Sequence, residues 1–111
     1  MTIDITTTGR QSGEPRRIEI WFLNVGGAIY ITGTPGPRHW YANLVGTPSF
    51  LFHLKESMTL DLAATATVVA NRAERKRVFA APRAEWYLRQ GDSLDSLLDD
   101  APMVRVDFDE L

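Results

Sequence analysis

Thr6-Thr7-Thr8-Gly9-Arg10-Gln11-Ser12-Gly13-Glu14-Pro15-Arg16-Arg17 joins two strand-like runs. Ile3 and Ile5 alternate before it, and Ile18, Ile20, Trp21, Phe22 and Leu23 follow it. Its two glycines, a serine hydroxyl and a proline predict a hairpin loop with special backbone angles. Three arginines against one glutamate give the loop a positive field, and its glycines leave backbone N–H groups open. A loop of this kind can hold an anion, phosphate above all, through charge-assisted bonds and a backbone nest. The same residues also describe a basic, solvated hairpin tip, and composition alone leaves both readings open.

Outward from the loop the chain alternates. Residues 3–8 predict a short strand, its threonines suited to a pleated edge. In residues 16–24, Ile18, Ile20 and Phe22 are expected to face a core. Arg17, Glu19, Trp21 and Leu23 form an outer face that mixes charge with large apolar groups, the pattern of a strand that meets a ligand or partner. Val25-Gly26-Gly27 reads as a tight turn and residues 28–34 as the returning strand, so 16–34 is expected to be one hairpin. Arg38–Val45 has helical spacing, ended by Gly46-Thr47-Pro48. Residues 49–54 and 59–69 predict a second hairpin turning at 55–57. Asn71 and Glu74 have the spacing of a capping box, opening a helix that ends near Ala81-Pro82. Residues 83–90 add a helical piece closed by Gly91, 93–98 a further turn of helix, and 103–108 a last strand. About six antiparallel strands, with two or three short helices, predict a mainly β domain over residues 1–111: a small barrel with helices at its openings. Closure or dimerisation is needed to keep Trp21 and Phe50 dry.

Composition narrows the function. The chain has 111 residues, 44% of them hydrophobic and 23% charged, as in an ordinary soluble domain. With no cysteine, neither a disulfide framework nor a thiolate metal site can form. His39 and His53 are too far apart in sequence for a local metal motif. No apolar run approaches the ~20 residues of a membrane span and the start lacks a signal-peptide pattern, so a cytoplasmic location is expected. Residues 1–91 carry a net charge of +4 and residues 92–111 a net of −6. A basic body with an acidic, solvated tail suits a small anion better than nucleic acid, whose binders show broad basic surfaces.

Gly9-Arg10-Gln11-Ser12-Gly13-Glu14-Pro15-Arg16, then Trp40-Tyr41-Ala42-Asn43-Leu44, then Asp61-Leu62 with the Glu74-Arg75 helix, stand in an order that resembles the deazaflavin-dependent nitroreductase and quinone reductase family. The resemblance spans roughly residues 5–80. It implies the split β-barrel fold of flavin-binding, pyridoxamine-phosphate-oxidase-like proteins, and use of the reduced deazaflavin coenzyme F420. On that reading Arg10, Ser12, Gly13 and Arg16 cradle the coenzyme's phosphate region, and Gln11 is a further cofactor-binding residue of the same loop. Thr34-Pro35-Gly36 runs beside the ring, Trp40 and Tyr41 wall the pocket, and Asn43 braces the short helix by bonding loop backbone.

The residue chemistry agrees with a hydride carrier, which performs the reaction while the protein binds, orients and excludes water. No Ser-His-Asp spacing, HExxH or Walker loop stands in the sequence, and no catalytic residue is assigned. Trp40 on a short amphipathic helix serves equally as core anchor or pocket wall. His39 and His53 read as a surface and a cross-strand residue, Trp86 and Tyr87 as helix-to-barrel packing. The expected function is hydride transfer from reduced F420 to a small electron-poor acceptor such as a quinone, nitroaromatic or enone, by a homodimer. Two alternatives stand beside it. One is an FMN-dependent oxidoreductase of the same fold, since FMN also ends in a phosphate. The other is a barrel that binds flavin, haem or lipid without catalysis.

Overall fold

β-branched and aromatic residues at period two carry the chain through seven strands, and the apolar positions between them decide which faces close. The computed structural model describes residues 2–56 and 58–109. The strands are β1 (Thr2–Thr8), β2 (Pro15–Trp21), β3 (Leu23–Val25), β4 (Ala28–Thr32), β5 (Ser49–Leu54), β6 (Leu60–Val68) and β7 (Met103–Phe108). The helices are α1 (His39–Gly46), α2 (Arg72–Phe79), α3 (Glu85–Leu88) and α4 (Leu94–Asp100), with a 3₁₀ turn at Pro82–Ala84. All pairings are antiparallel, in one sheet of order β2-β1-β5-β6-β7-β4-β3. The turn expected at 55–57 includes Ser57, which lies outside the described residues.

One predicted hairpin is drawn differently. β1 pairs with β2 along its whole length, as the hairpin loop between them implies, with Ile5 opposite Ile18 and Ile3 opposite Ile20. The run 16–24 breaks at Phe22, and the short β3 pairs with β4, Leu23 opposite Tyr30. β2 and β3 adjoin in sequence yet stand at opposite ends of the ladder. The sheet therefore curls until its ends meet at Phe22, a half-barrel whose inner face holds Ile3, Ile5, Ile31, Phe52, Val104 and Val106. The in–out parity holds through the break, but the outer face is not uniformly wet. Behind β3, β4 and β7 the helices lay down a second core, where Leu23, Tyr30 and Met103 meet Phe79, Tyr87 and Leu97.

Most of the helical layer thus covers an outer sheet face rather than sitting at a barrel opening; α1 alone packs Trp40 and Leu44 into the inner core. Asn71 caps α2 as expected, its side chain accepting from the Glu74 N–H at 3.0 Å, and Ser93 caps α4 through the Ser96 N–H at 3.1 Å. The acidic end of the chain is not a solvated tail. α4 buries Leu97 and Leu98, β7 is held between β6 and β4, and Asp95 and Asp99 pair with Arg72. Amphipathic spacing at Leu94–Leu98 and the alternation at Met103–Phe108 outweigh the local charge.

Candidate functional site

The β1–β2 loop is held by its own backbone. Gly9 N–H donates to Glu14 O at 2.8 Å, and Gly13 N–H donates to Gly9 O at 2.8 Å. Gly13 has φ +71, the left-handed region that glycine enters without cost. Gly9 is required for a different reason, because a Cβ there would stand 2.6 Å from Ser12 Oγ and 3.3 Å from Glu14 O. Ser12 Oγ accepts from Glu14 N–H at 3.2 Å and from Arg16 Nη2 at 3.4 Å, which turns the Arg16 guanidinium along the loop.

α1 clasps this loop from the other side. Asn43 accepts from the Arg10 N–H at 3.1 Å through Oδ1 and donates through Nδ2 to Thr7 Oγ1 at 3.1 Å. One buried amide thus joins α1, β1 and the loop, the bracing role expected of it. Between them lies an open cleft of about 420 Å³, lined by Thr7, Gly9, Arg10, Gln11, Ser12, Arg16, Ile18, His39, Trp40 and Asn43. None of these residues is acidic. The loop and β2 contribute Arg10, Gln11, Ser12, Arg16 and Ile18 to the lining, and α1 contributes His39, Trp40 and Asn43. Ile18 lies on the inner face, opposite Ile5, yet is 37% exposed, because the core ends before it. Trp40 is core anchor and cleft wall at once, buried among Leu44 and its neighbours while its edge meets Tyr41.

Five of the ten expected binding residues, Arg10, Gln11, Ser12, Arg16 and Trp40, come together on this cleft. Gly13 shapes the loop without lining it. Thr34, Pro35 and Gly36 belong to the β4–α1 connection, which Arg38 organises by donating to Thr34 O at 3.1 Å and Thr34 Oγ1 at 3.0 Å. Gly36 and Tyr41 border a second cleft of about 510 Å³, on a different face of α1, with Pro37, Val68, Arg72 and Pro102. His39 is exposed, as expected, and lines the cleft's rim; Ile18, expected in the core, and Arg38, with no local signal, are the residues the sequence did not mark. For Ile18 no local signal existed, since its strand pattern is that of a core residue.

A hydroxyl–imidazole–carboxylate chain that sequence spacing hid lies on the outer face. Thr6 Oγ1 is 2.7 Å from His53 Nε2, and His53 Nδ1 is 2.7 Å from Asp61 Oδ1. Beside it, hydrogen bonds from Lys55 and then Arg17 hold the Asp4 carboxyl below its ordinary range, while Asp4 and Glu19 raise Lys55. In the helical layer, burial and then the Glu74 carboxylate raise the Tyr30 phenol, and burial raises Tyr87.

Comparison with known proteins places the chain in a family. The sequence profile of the F420H(2)-dependent quinone reductases matches residues 2–93. The chain belongs to the F420H(2)-dependent quinone reductase family. Like that family it is an oxidoreductase, with coenzyme F420 as its source of hydride. Among solved structures, an F420-H2 dependent reductase, FDR-A, aligns at TM-score 0.61 and 23% identity, over 96% of this chain and 93% of that one. A protein from Listeria innocua described as a pyridoxamine 5′-phosphate oxidase aligns at TM-score 0.70 and 13% identity, over 98% and 83%. A domain-swapped dimer aligns at TM-score 0.64 and 21% identity, over 96% and 79%. At these identities the likeness shows the fold, and the curled seven-stranded sheet of this quinone reductase family member is a split β-barrel.

Proposed function

We propose that the cleft between the β1–β2 loop and α1 is where this enzyme binds F420. The carrying observation is that Arg10, Ser12 and Arg16 meet Ile18 and Trp40 around one opening with no acidic lining. A molecule with a phosphate at one end and a planar ring at the other matches that donor set. Arg16, steered by Ser12, and Arg10 take the phosphate oxygens; guanidinium forks suit them bidentately. Gln11, at the loop's tip, accompanies the acidic tail over the surface. Ile18 and Trp40 receive apolar ring surface and keep water from one face of it. Bound there, the reduced coenzyme supplies a hydride to the acceptor. The protein's share is to bind, orient and desolvate, and no charged dyad is needed in the cleft.

The acceptor is a small electron-poor molecule, a quinone, nitroaromatic or enone. We place the enzyme in the cytoplasm and read it as a homodimer; the alignment to a domain-swapped dimer supports the second point. Titrating the protein with F420 and, separately, with FMN by cofactor fluorescence tests the site. Tight binding of F420 and weak binding of FMN are expected. Arg16→Ala should lose about 1.5–3 kcal/mol of F420 affinity, the scale of a lost charged hydrogen bond. Unchanged affinity in a folded variant would remove the phosphate site from this loop.

A further inference from the structure

β2 is the one long strand at an end of the ladder. The other end is β3, only three residues long with Leu23 buried. Residues Pro15 to Glu19 are exposed on both faces, Ile20 is half-buried, and Trp21 is 46% exposed at the strand's end. An edge of this length presents unpaired N–H and C=O groups to solvent, and a second strand can complete them. The charges on it suit one partner in particular.

We propose that two copies of this chain associate by antiparallel pairing of β2 with β2, about a two-fold axis through Ile18. Ile18 is the midpoint of Arg16–Ile20. In that register Ile18 faces its own copy, and Arg17 of each chain stands directly opposite Glu19 of the other, twice by symmetry. Both charged residues lie on the outer face, where Arg17 is bonded to Asp4 and Glu19 to Lys55. Their side chains are nonetheless 55% and 62% exposed, so each has room for a second partner. The two four-residue networks, Asp4-Arg17 and Lys55-Glu19 in each chain, become one across the axis. A shift by one residue would instead set Arg17 opposite Ile18 and turn one strand's faces over, so the charges specify the register as well as the partner. On the inner face Arg16 comes opposite the second copy's Ile20. The partner's strand therefore flanks the cleft that Arg16 and Ile18 line, and extends the apolar wall at its open side.

The pairing does not depend on what the cleft binds. Sedimentation equilibrium without coenzyme reads it directly, while fluorescence titration reads the coenzyme site. The wild-type chain is expected to dimerise. Arg17→Glu makes the strand acidic and Glu19→Arg makes it basic, so each variant alone sets like charges opposite each other at two positions. Each should dimerise roughly tenfold to a hundredfold more weakly. An equimolar mixture of the two variants restores both opposite-charge pairs and should form heterodimers about as tightly as the wild type. Unchanged circular dichroism of each variant separates lost association from lost fold. A monomeric wild-type chain overturns the proposal, as do variants that dimerise like the wild type or a mixture that stays monomeric.

Discussion

Asn43 shows how much one amide can settle. Its carbonyl takes the Arg10 N–H and its NH₂ group reaches Thr7, so the same side chain fixes the loop's distance from α1 and the width of the cleft. Asn43→Ala leaves a buried hydroxyl and a loop N–H without their partner. It should cost about 1–3 kcal/mol of stability in thermal or denaturant unfolding. It should also weaken F420 binding, because Arg10 loses its anchor. Asn43→Asp is the sharper control. It keeps the acceptor for Arg10 but places a carboxylate in an anion site, so coenzyme affinity should fall further than stability. Ile18 stands beside it as the residue whose exposure has a use: a core-type side chain left at the edge of the core is apolar surface available to a ring.

At the scale of elements, the helical layer is organised by a buried cation that, among the described residues, forms no ion pair within 4 Å. Arg75, 6% exposed on α2, donates to the carbonyls of Val69, Leu97, Leu98 and Ala101, which include the C-terminal end of α4. Carbonyls at a helix end otherwise lack partners, and a guanidinium fork reaches several at once. Burial lowers the Arg75 pKa, against the opposing field of Tyr41, Asp99 and Asp100, and the carbonyl oxygens give its N–H groups partners. Arg75→Met keeps the packing volume but removes a donor from each of those carbonyls, of which Leu97 O keeps the Ala101 N–H, at a cost of about 3 kcal/mol in chemical denaturation. Arg75→Lys should recover only part of that loss, because an ammonium offers three donors from a single point.

For the whole molecule, the titrating groups set the pH window of stability. Tyr30 and Tyr87 both have phenols raised above the ordinary value of 10.0. A raised pKa means the folded state holds the proton more tightly than the unfolded chain. Their contribution is therefore complete below 10.0 and is lost as pH rises through the folded-state values. Lys55, also raised, loses its contribution in the same direction above its ordinary 10.5. Asp4 acts in the opposite sense: its lowered pKa gives stability above 3.8 that is lost as pH falls further. Denaturant midpoints should be flat near neutrality and fall at both extremes. Tyr87→Phe, which removes a phenol raised by burial alone, should flatten the alkaline decline; an unchanged alkaline limb would discount its role.

Local chemistry in the sequence determined the strands from the alternation of Ile3, Ile5, Ile18 and Ile20, and the α2 start from the Asn71 cap. It also determined the loop with its two arginines, because glycine, serine and proline act through their own backbone angles. The family motif lies in the same local stretches. What only the tertiary structure decided were facts of long-range pairing. Phe22 is where the sheet closes, the acidic end is a strand inside the sheet, and the outer face behind β4 is a second core. The meeting of Thr6, His53 and Asp61, and the separation of Gly36 and Tyr41 from the arginine loop, belong with these. Periodicity assigns a residue to a face; only curling and helix packing assign that face to core, cleft or water.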